Sequence, residues 1–318
     1  VSRLTHLMSA PLRAASGLRR RASAGWPTLP RPTISVGNLA LGGRCKTPLV
    51  AALCAEVLAR GMNPAIVSRG YPVVSTARYP AVVVSVGPGH APWLTLLEAW
   101  EGGVVRRGPA FGLAASIGDE PAWLASKTGV PVSVHPNRVA AAEAVVARFP
   151  RTDLLILDDG FQTAVRSEVD LVVVDESLDL MGRAALRESP NALARAIVVR
   201  LDRDLIRVPG LLRDLRSGEE CSVPDEALLL AAAVARPETV RGLAEQRGIT
   251  IGASIRLRDH RGPSSSRLAR HLGPLLVTEK DAVGWAYGSG RAGVVLQMTL
   301  LGAGAVAASA IQALVDHP

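Results

Sequence analysis

Apolar runs of three to five residues recur along the chain, separated by longer stretches in which apolar positions fall at helical spacing. That alternation predicts a mostly parallel sheet covered by helices on both faces. Strands are expected at 33–36, 65–67, 81–84, 154–157, 171–174 and 196–199, with helices at 48–60, 121–128 and 138–148 between them. A second cluster of strands, at 227–234, 249–255, 275–278 and 294–300, alternates with helices at 237–246 and 264–272. This cluster predicts a smaller C-terminal α/β domain. The expected division is a basic N-terminal segment over 1–30, a core domain over 31–220 and the smaller domain over 221–318. Residues 293–315 carry no charge and are long enough to span a bilayer, yet Gln297, Thr299, Ser309 and Gln312 interrupt them. A strand followed by a terminal helix at 305–315 accounts for them better, so no membrane span is predicted.

Composition narrows the picture. The 318 residues, 48% apolar, suffice for a large core and a second domain. Three cysteines, at 45, 54 and 221 with no C-x-x-C pair, argue against a disulfide framework or zinc site and for a reducing, cytosolic compartment. The net charge of +8 is unevenly placed. No acidic residue precedes Glu56, whereas Arg3, Arg13, Arg19, Arg20, Arg21, Arg31, Arg44 and Lys46 do. Leu4, Leu7, Met8, Leu12, Ala15 and Leu18 recur at helical spacing, so the first twenty or so residues are expected to form a basic amphipathic helix on an anionic membrane surface. Nucleic acid is a poor partner, because the charge is confined to one arm and aromatic residues are few.

Of 36 basic residues only Lys46, Lys127 and Lys280 are lysine. Where arginine is otherwise the rule, a lysine marks a place for a compact ammonium. Lys46 lies in Gly42-Gly43-Arg44-Cys45-Lys46-Thr47, between a predicted strand and a predicted helix. That is the order of a phosphate-binding loop: backbone N–H groups and the helix N-terminus face the phosphates, the lysine reaches the β- and γ-oxygens, and the threonine ligates Mg²⁺. The pattern is degenerate, with Ala40 and Cys45 at the two glycine positions. Leu154-Leu155-Ile156-Leu157-Asp158-Asp159-Gly160 ends an apolar strand in two carboxylates, where an α/β sheet binds its ligands and an aspartate can hold Mg²⁺. Ile117-Gly118-Asp119-Glu120-Pro121 is a second acidic turn leading into a helix. His260 sits in a charged cluster, and Lys280 lies between two carboxylates in Thr278-Glu279-Lys280-Asp281.

Taken in order, Ser35-Val36-Gly37-Asn38-Leu39, Gly42-Gly43, Lys46-Thr47-Pro48, Ser68-Arg69-Gly70-Tyr71, Gly118-Asp119-Glu120-Pro121, Asp158-Asp159-Gly160-Phe161-Gln162, Leu186-Arg187-Glu188, Asp259-His260 and Thr278-Glu279-Lys280-Asp281-Ala282 resemble the tetraacyldisaccharide 4′-kinase family. The resemblance implies a P-loop fold and ATP- and Mg²⁺-dependent phosphorylation of the 4′-hydroxyl of a tetraacylated glucosamine disaccharide 1-phosphate, on the cytoplasmic face of the bacterial inner membrane. It implies Asp119 as the base assisted by His260, and Lys46 on the phosphates with Gly42, Gly43, Arg44, Cys45 and Thr47. It further implies Thr47, Asp158 and Asp159 at the metal, and Asn38, Ser68, Arg69, Tyr71, Glu120, Gln162, Arg187 and Glu188 around the substrates. The chain departs from the family pattern at Cys45, at Thr163 where a histidine follows the glutamine, in the shortened Met181-Gly182-Arg183-Ala184-Ala185, and in an insertion over 88–115. These departures leave a second reading, a relative that binds nucleotide or lipid with little or no turnover.

Overall fold

The computed structural model describes residues 25–40, 45–70, 78–87, 91–176, 179, 186–257, 264–271 and 273–316. In chain order the elements are β1 (Thr33–Asn38), α1 (Lys46–Ala59), β2 (Pro64–Ser68), β3 (Ala81–Ser85), β4 (Leu96–Glu101), β5 (Val104–Pro109), α2 (Ala110–Ile117), α3 (Asp119–Thr128), β6 (Val132–Val134), α4 (Arg138–Arg148) and β7 (Leu154–Asp158). There follow β8 (Val169–Val174), β9 (Ile197–Arg200), β10 (Ile206–Asp214), β11 (Leu228–Ala232), α5 (Pro237–Gln246), β12 (Ile251–Arg256), α6 (Ser265–Ala269), β13 (Leu275–Thr278), β14 (Gly293–Leu301) and α7 (Ala303–Asp316).

The chain folds as two compact units, and neither is a single stretch of sequence. The first comprises residues 1–69, 130–206 and 300–318. Its strands run in the order β6-β2-β7-β1-β8-β9, all parallel. Every residue of β1, β2 and β7 is buried, as expected of strands covered on both faces. β1 lies centrally, Val36 opposite Asp158 of β7 and Leu171 of β8, so Asn38 and Asp158 end on one edge. Past that edge the chain turns back over β1: the Gly160 N–H donates to the Val36 carbonyl at 3.1 Å. The approach is close enough that a Cβ on Gly37 would stand 2.3 Å from Cβ of Phe161. α7 packs on α1 and β8 through a buried face of Ala303, Ala307, Ala310 and Ile311.

The second unit comprises residues 70–129 and 207–299. β3, expected from sequence, forms an antiparallel meander with β4 and β5, which lie within the segment expected to be an insertion. β10-β14-β13-β11-β12 form a five-stranded sheet in that order. The two segments are bound together by particular contacts: the buried Trp93 donates its indole N–H to the Leu215 carbonyl at 2.9 Å, and Lys127 of α3 pairs with Glu279 at 3.0 Å. The linear division at 220/221 is thus corrected, since residues 70–129 join the later sheet and the terminal helix belongs with the first unit. The expected basic segment over 1–30 lies outside the described residues up to position 24.

β10 escapes the sequence pattern because Pro209 and Gly210 interrupt it. Gly210 is required there by the approach of Gln297 and Thr299, whose atoms would stand 3.0–3.3 Å from a Cβ. Residues 293–315 form β14 and then α7, as expected. Among the described residues no helix is long and apolar enough to cross a membrane.

Candidate functional site

The loop after β1 delivers Lys46 as the first residue of α1, with Cys45 before it at φ 58°, ψ 23°, in the left-handed region. A left-handed residue running into a helix turns successive N–H groups toward one point, which makes an anion-binding concavity. No acidic side chain lies in the first turn of α1 to oppose an anion. Lys46 Nζ donates to Asn38 Oδ1 at 3.0 Å and is paired with Asp159 Oδ1.

Arg187 completes the cluster. The bridge between Ala40 and Leu186, with Arg187 N–H donating to the Leu39 carbonyl at 2.7 Å, brings the Leu186-Arg187-Glu188 string to the end of β1. From there the guanidinium donates to Asp159 Oδ2 at 3.1 Å and Oδ1 at 2.9 Å, and to Asn38 Oδ1 at 2.5 Å. Burial alone would raise the Asp159 carboxyl, but Lys46 and Arg187 outweigh it and hold the group well below the usual carboxylate range. Asp159 is therefore ionised at neutral pH while its side chain stays 35% exposed. Gln162 donates Nε2 to the Asn38 carbonyl at 2.7 Å, and its Oε1 is buried without a hydrogen-bond partner among the described residues. Asn38, Lys46, Asp159, Gln162 and Arg187, named separately from sequence, are thus one cluster.

Asp158, the other member of the acidic pair, is 3% exposed and accepts from Ser68 Oγ at 3.2 Å. Its carbonyl accepts from Arg138 Nη2 at 3.3 Å. Burial lowers the Arg138 guanidinium to about 10, with Asp158 and Asp159 opposing the shift. Sequence reasoning missed Arg138. One signal was available: Arg138 opens a helix capped by Asn137, and a cation is disfavoured at a helix N-terminus unless anions hold it there. Thr47 lies half-buried in the first turn of α1, Arg69 is exposed and Glu188 is buried.

In the second unit, Asp119 and Glu120 open α3 after Gly118 at φ 98°. Asp119 is 14% exposed, and its Oδ1 accepts the Glu120 N–H at 2.9 Å. Lys280 Nζ stands 3.9 Å from Asp119 Oδ2 and 3.7 Å from Glu120 Oε1. The lysine that sequence placed between two neighbouring carboxylates also faces two others, 161 and 160 positions away. Gly42, Gly43, Arg44, Tyr71 and His260 lie outside the described residues. Among the described residues no group of three His, Cys, Asp or Glu side chains converges to cage a metal.

Three comparisons bear on this arrangement. The profile of the family described as tetraacyldisaccharide-1-P 4′-kinase matches residues 1–91 and 101–300. The gap at 92–100 falls on β4, within the expected insertion. Tetraacyldisaccharide 4′-kinase of Actinobacillus succinogenes is 32% identical over 272 residues, covering 80% of this chain and 75% of that protein. The enzyme of the same name from Bordetella parapertussis is 32% identical over 311 residues, covering 86% and 82%. Among solved structures, LpxK from Aquifex aeolicus in complex with ATP superposes with a TM-score of 0.68 over 96% of this chain and 97% of that one, at 19% identity, and so shares the fold.

Proposed function

The chain belongs to the tetraacyldisaccharide-1-P 4′-kinase family, and from that premise we propose that it transfers the γ-phosphoryl group of ATP to the 4′-hydroxyl of a tetraacylated disaccharide 1-phosphate in lipid A biosynthesis. The observation that carries the reading is the cluster at the end of β1, where Lys46 on the first residue of α1 meets the ionised Asp159 after β7. Lys46, the left-handed turn at Cys45 and the N-terminus of α1 form the positive, hydrogen-bond-donating cradle that a nucleotide's phosphates require. Arg187 adds a planar donor suited to a phosphoryl oxygen. The donor set also fits Mg²⁺, which takes one or two carboxylates and a hydroxyl and completes its shell with water and phosphate oxygens. Thr47, Asp158 and Asp159 would hold it, where it would neutralise phosphate charge.

In the transfer itself, the bond from the γ-phosphorus to the bridging oxygen of ADP breaks as the bond to the sugar oxygen forms. Such a transition state is loose, so catalysis rests on placement and charge. Lys46 and Arg187 stabilise the charge on the phosphoryl oxygens, and Asp119 takes the proton leaving the 4′-hydroxyl, assisted by His260. Ser68, Arg69, Tyr71, Glu120, Gln162, Glu188 and Asn38 are assigned to substrate binding or, for the buried members, to holding the groups that bind. The acyl chains of the substrate and the five arginines among the first 25 residues support a place on the cytoplasmic face of the inner membrane, at an anionic surface.

The test is turnover of ATP with the tetraacylated disaccharide 1-phosphate. Lys46→Ala should lower kcat by about 10²–10³-fold, the usual cost of one transition-state donor. Equal turnover by the variant would overturn the assignment.

A further inference from the structure

Thr278-Glu279-Lys280-Asp281 has no part in phosphoryl transfer as described above, yet it reaches both ends of the helix that begins with Asp119. At the far end of α3, Lys127 donates to Glu279 Oε1 at 3.0 Å, and Glu279 also accepts from Gln297 at 2.6 Å. At the near end, Lys280 faces Asp119 and Glu120. Asp281 anchors the string: its carboxylate accepts from Thr278 Oγ1 at 2.6 Å, the Ala233 N–H at 2.8 Å and Trp285 Nε1 at 2.9 Å. Residue 280 is therefore fixed on both sides by buried neighbours, Glu279 at 7% and Asp281 at 1% exposure. The turn that follows comes so close that a Cβ on Gly284 would stand 3.3 Å from Cβ of Asp119.

Asp119 and Glu120 are adjacent carboxylates in the first turn of α3, and two like charges so close repel one another. The ammonium of Lys280 offsets that repulsion from 3.9 and 3.7 Å. Those separations are within Coulomb range but beyond hydrogen-bond distance, so Lys280 acts on the pair as a charge and not as a donor. We infer that Lys280 is a positioning residue for phosphoryl transfer, holding the Asp119 carboxylate anionic and in place at the head of α3. The inference rests on the assignment of Asp119 as the base.

A double-mutant cycle tests it, with kcat, KM for ATP and melting temperature measured for the native chain, K280M, D119N and the pair. D119N is expected to lose about 10²–10⁴-fold in kcat. K280M should lose about 10–100-fold in kcat with KM for ATP changed less than about 2-fold. In the D119N background K280M should cost less than about 2-fold, because a residue acting through Asp119 has nothing left to act on. A merely structural lysine would give the same loss in both backgrounds, and that additivity, or native kcat in K280M, would overturn the inference. Native kcat in D119N would instead remove the base assignment itself. If K280M melts below the assay temperature, K280Q carries the same test.

Discussion

Cys45 adopts φ 58°, ψ 23°, where a Cβ is strained by about 1–2 kcal/mol and a glycine is not. It also places a thiol next to the start of α1, where the phosphates are proposed to bind. That penalty corresponds to roughly 5–30-fold in affinity. Cys45→Gly is therefore expected to tighten ATP binding by about that factor, measured by titration calorimetry, and to raise kcat/KM in step. If affinity and turnover are both unchanged, the strain at this residue is not coupled to nucleotide binding, and the reading of a relative with little turnover gains ground. Asp159 shares the left-handed conformation, at φ 54°. Its strained backbone aims one carboxylate at Lys46 and Arg187 together, which an extended continuation of β7 would not do.

Among elements, the crossing of the chain after β7 over the end of β1 is tightly constrained. A Cβ at Gly37 would meet Cβ of Phe161 at 2.3 Å and its backbone nitrogen at 3.0 Å, and neither can retreat, since Phe161 is 1% exposed and its strand neighbours are buried. Gly37→Ala should destabilise by about 2 kcal/mol or more, the cost of overpacking, lowering the melting temperature by about 4 °C or more. Gly242 in the middle of α5 is the control. Among the described residues, no atom beyond its own helix lies within 4 Å of its Cβ position, so Gly242→Ala should stabilise by about 0.5–1 kcal/mol through helix propensity. A Gly37→Ala protein that melts like the native chain would show that the crossing relaxes freely. Most strands and helices were legible because period and turn chemistry are local. β10 was not, because its Pro-Gly interruption is accommodated by contact with β14, far along the chain, and β4 and β5 were hidden in what read as an insertion.

At the scale of the whole molecule, the arginine-rich N-terminus predicts that deleting residues 1–25 weakens binding to anionic vesicles and makes it less sensitive to salt, with nucleotide affinity unchanged. Vesicle co-sedimentation at two ionic strengths decides it, and undiminished binding by the truncated chain would assign the membrane contact elsewhere. By itself the sequence determined the α/β class, the strand–turn–helix around Lys46, the acidic pair after β7 and the rarity that singles out three lysines. These are properties of neighbouring residues, set by periodicity, turn chemistry and choice of side chain. Only the tertiary structure decided which carboxylate each lysine meets: Asp159 for Lys46, Glu279 for Lys127, and Asp119 with Glu120 for Lys280. It also decided that Arg138 lies buried beside Asp158 and that residues 70–129 fold with 207–299. The partners of Lys46 and Lys127 lie 113 and 152 positions away, and that of Arg187 on β1 lies 149 away. Pairing across such distances is set by sheet order and by the packing of helices on it, and no local pattern along the chain encodes it.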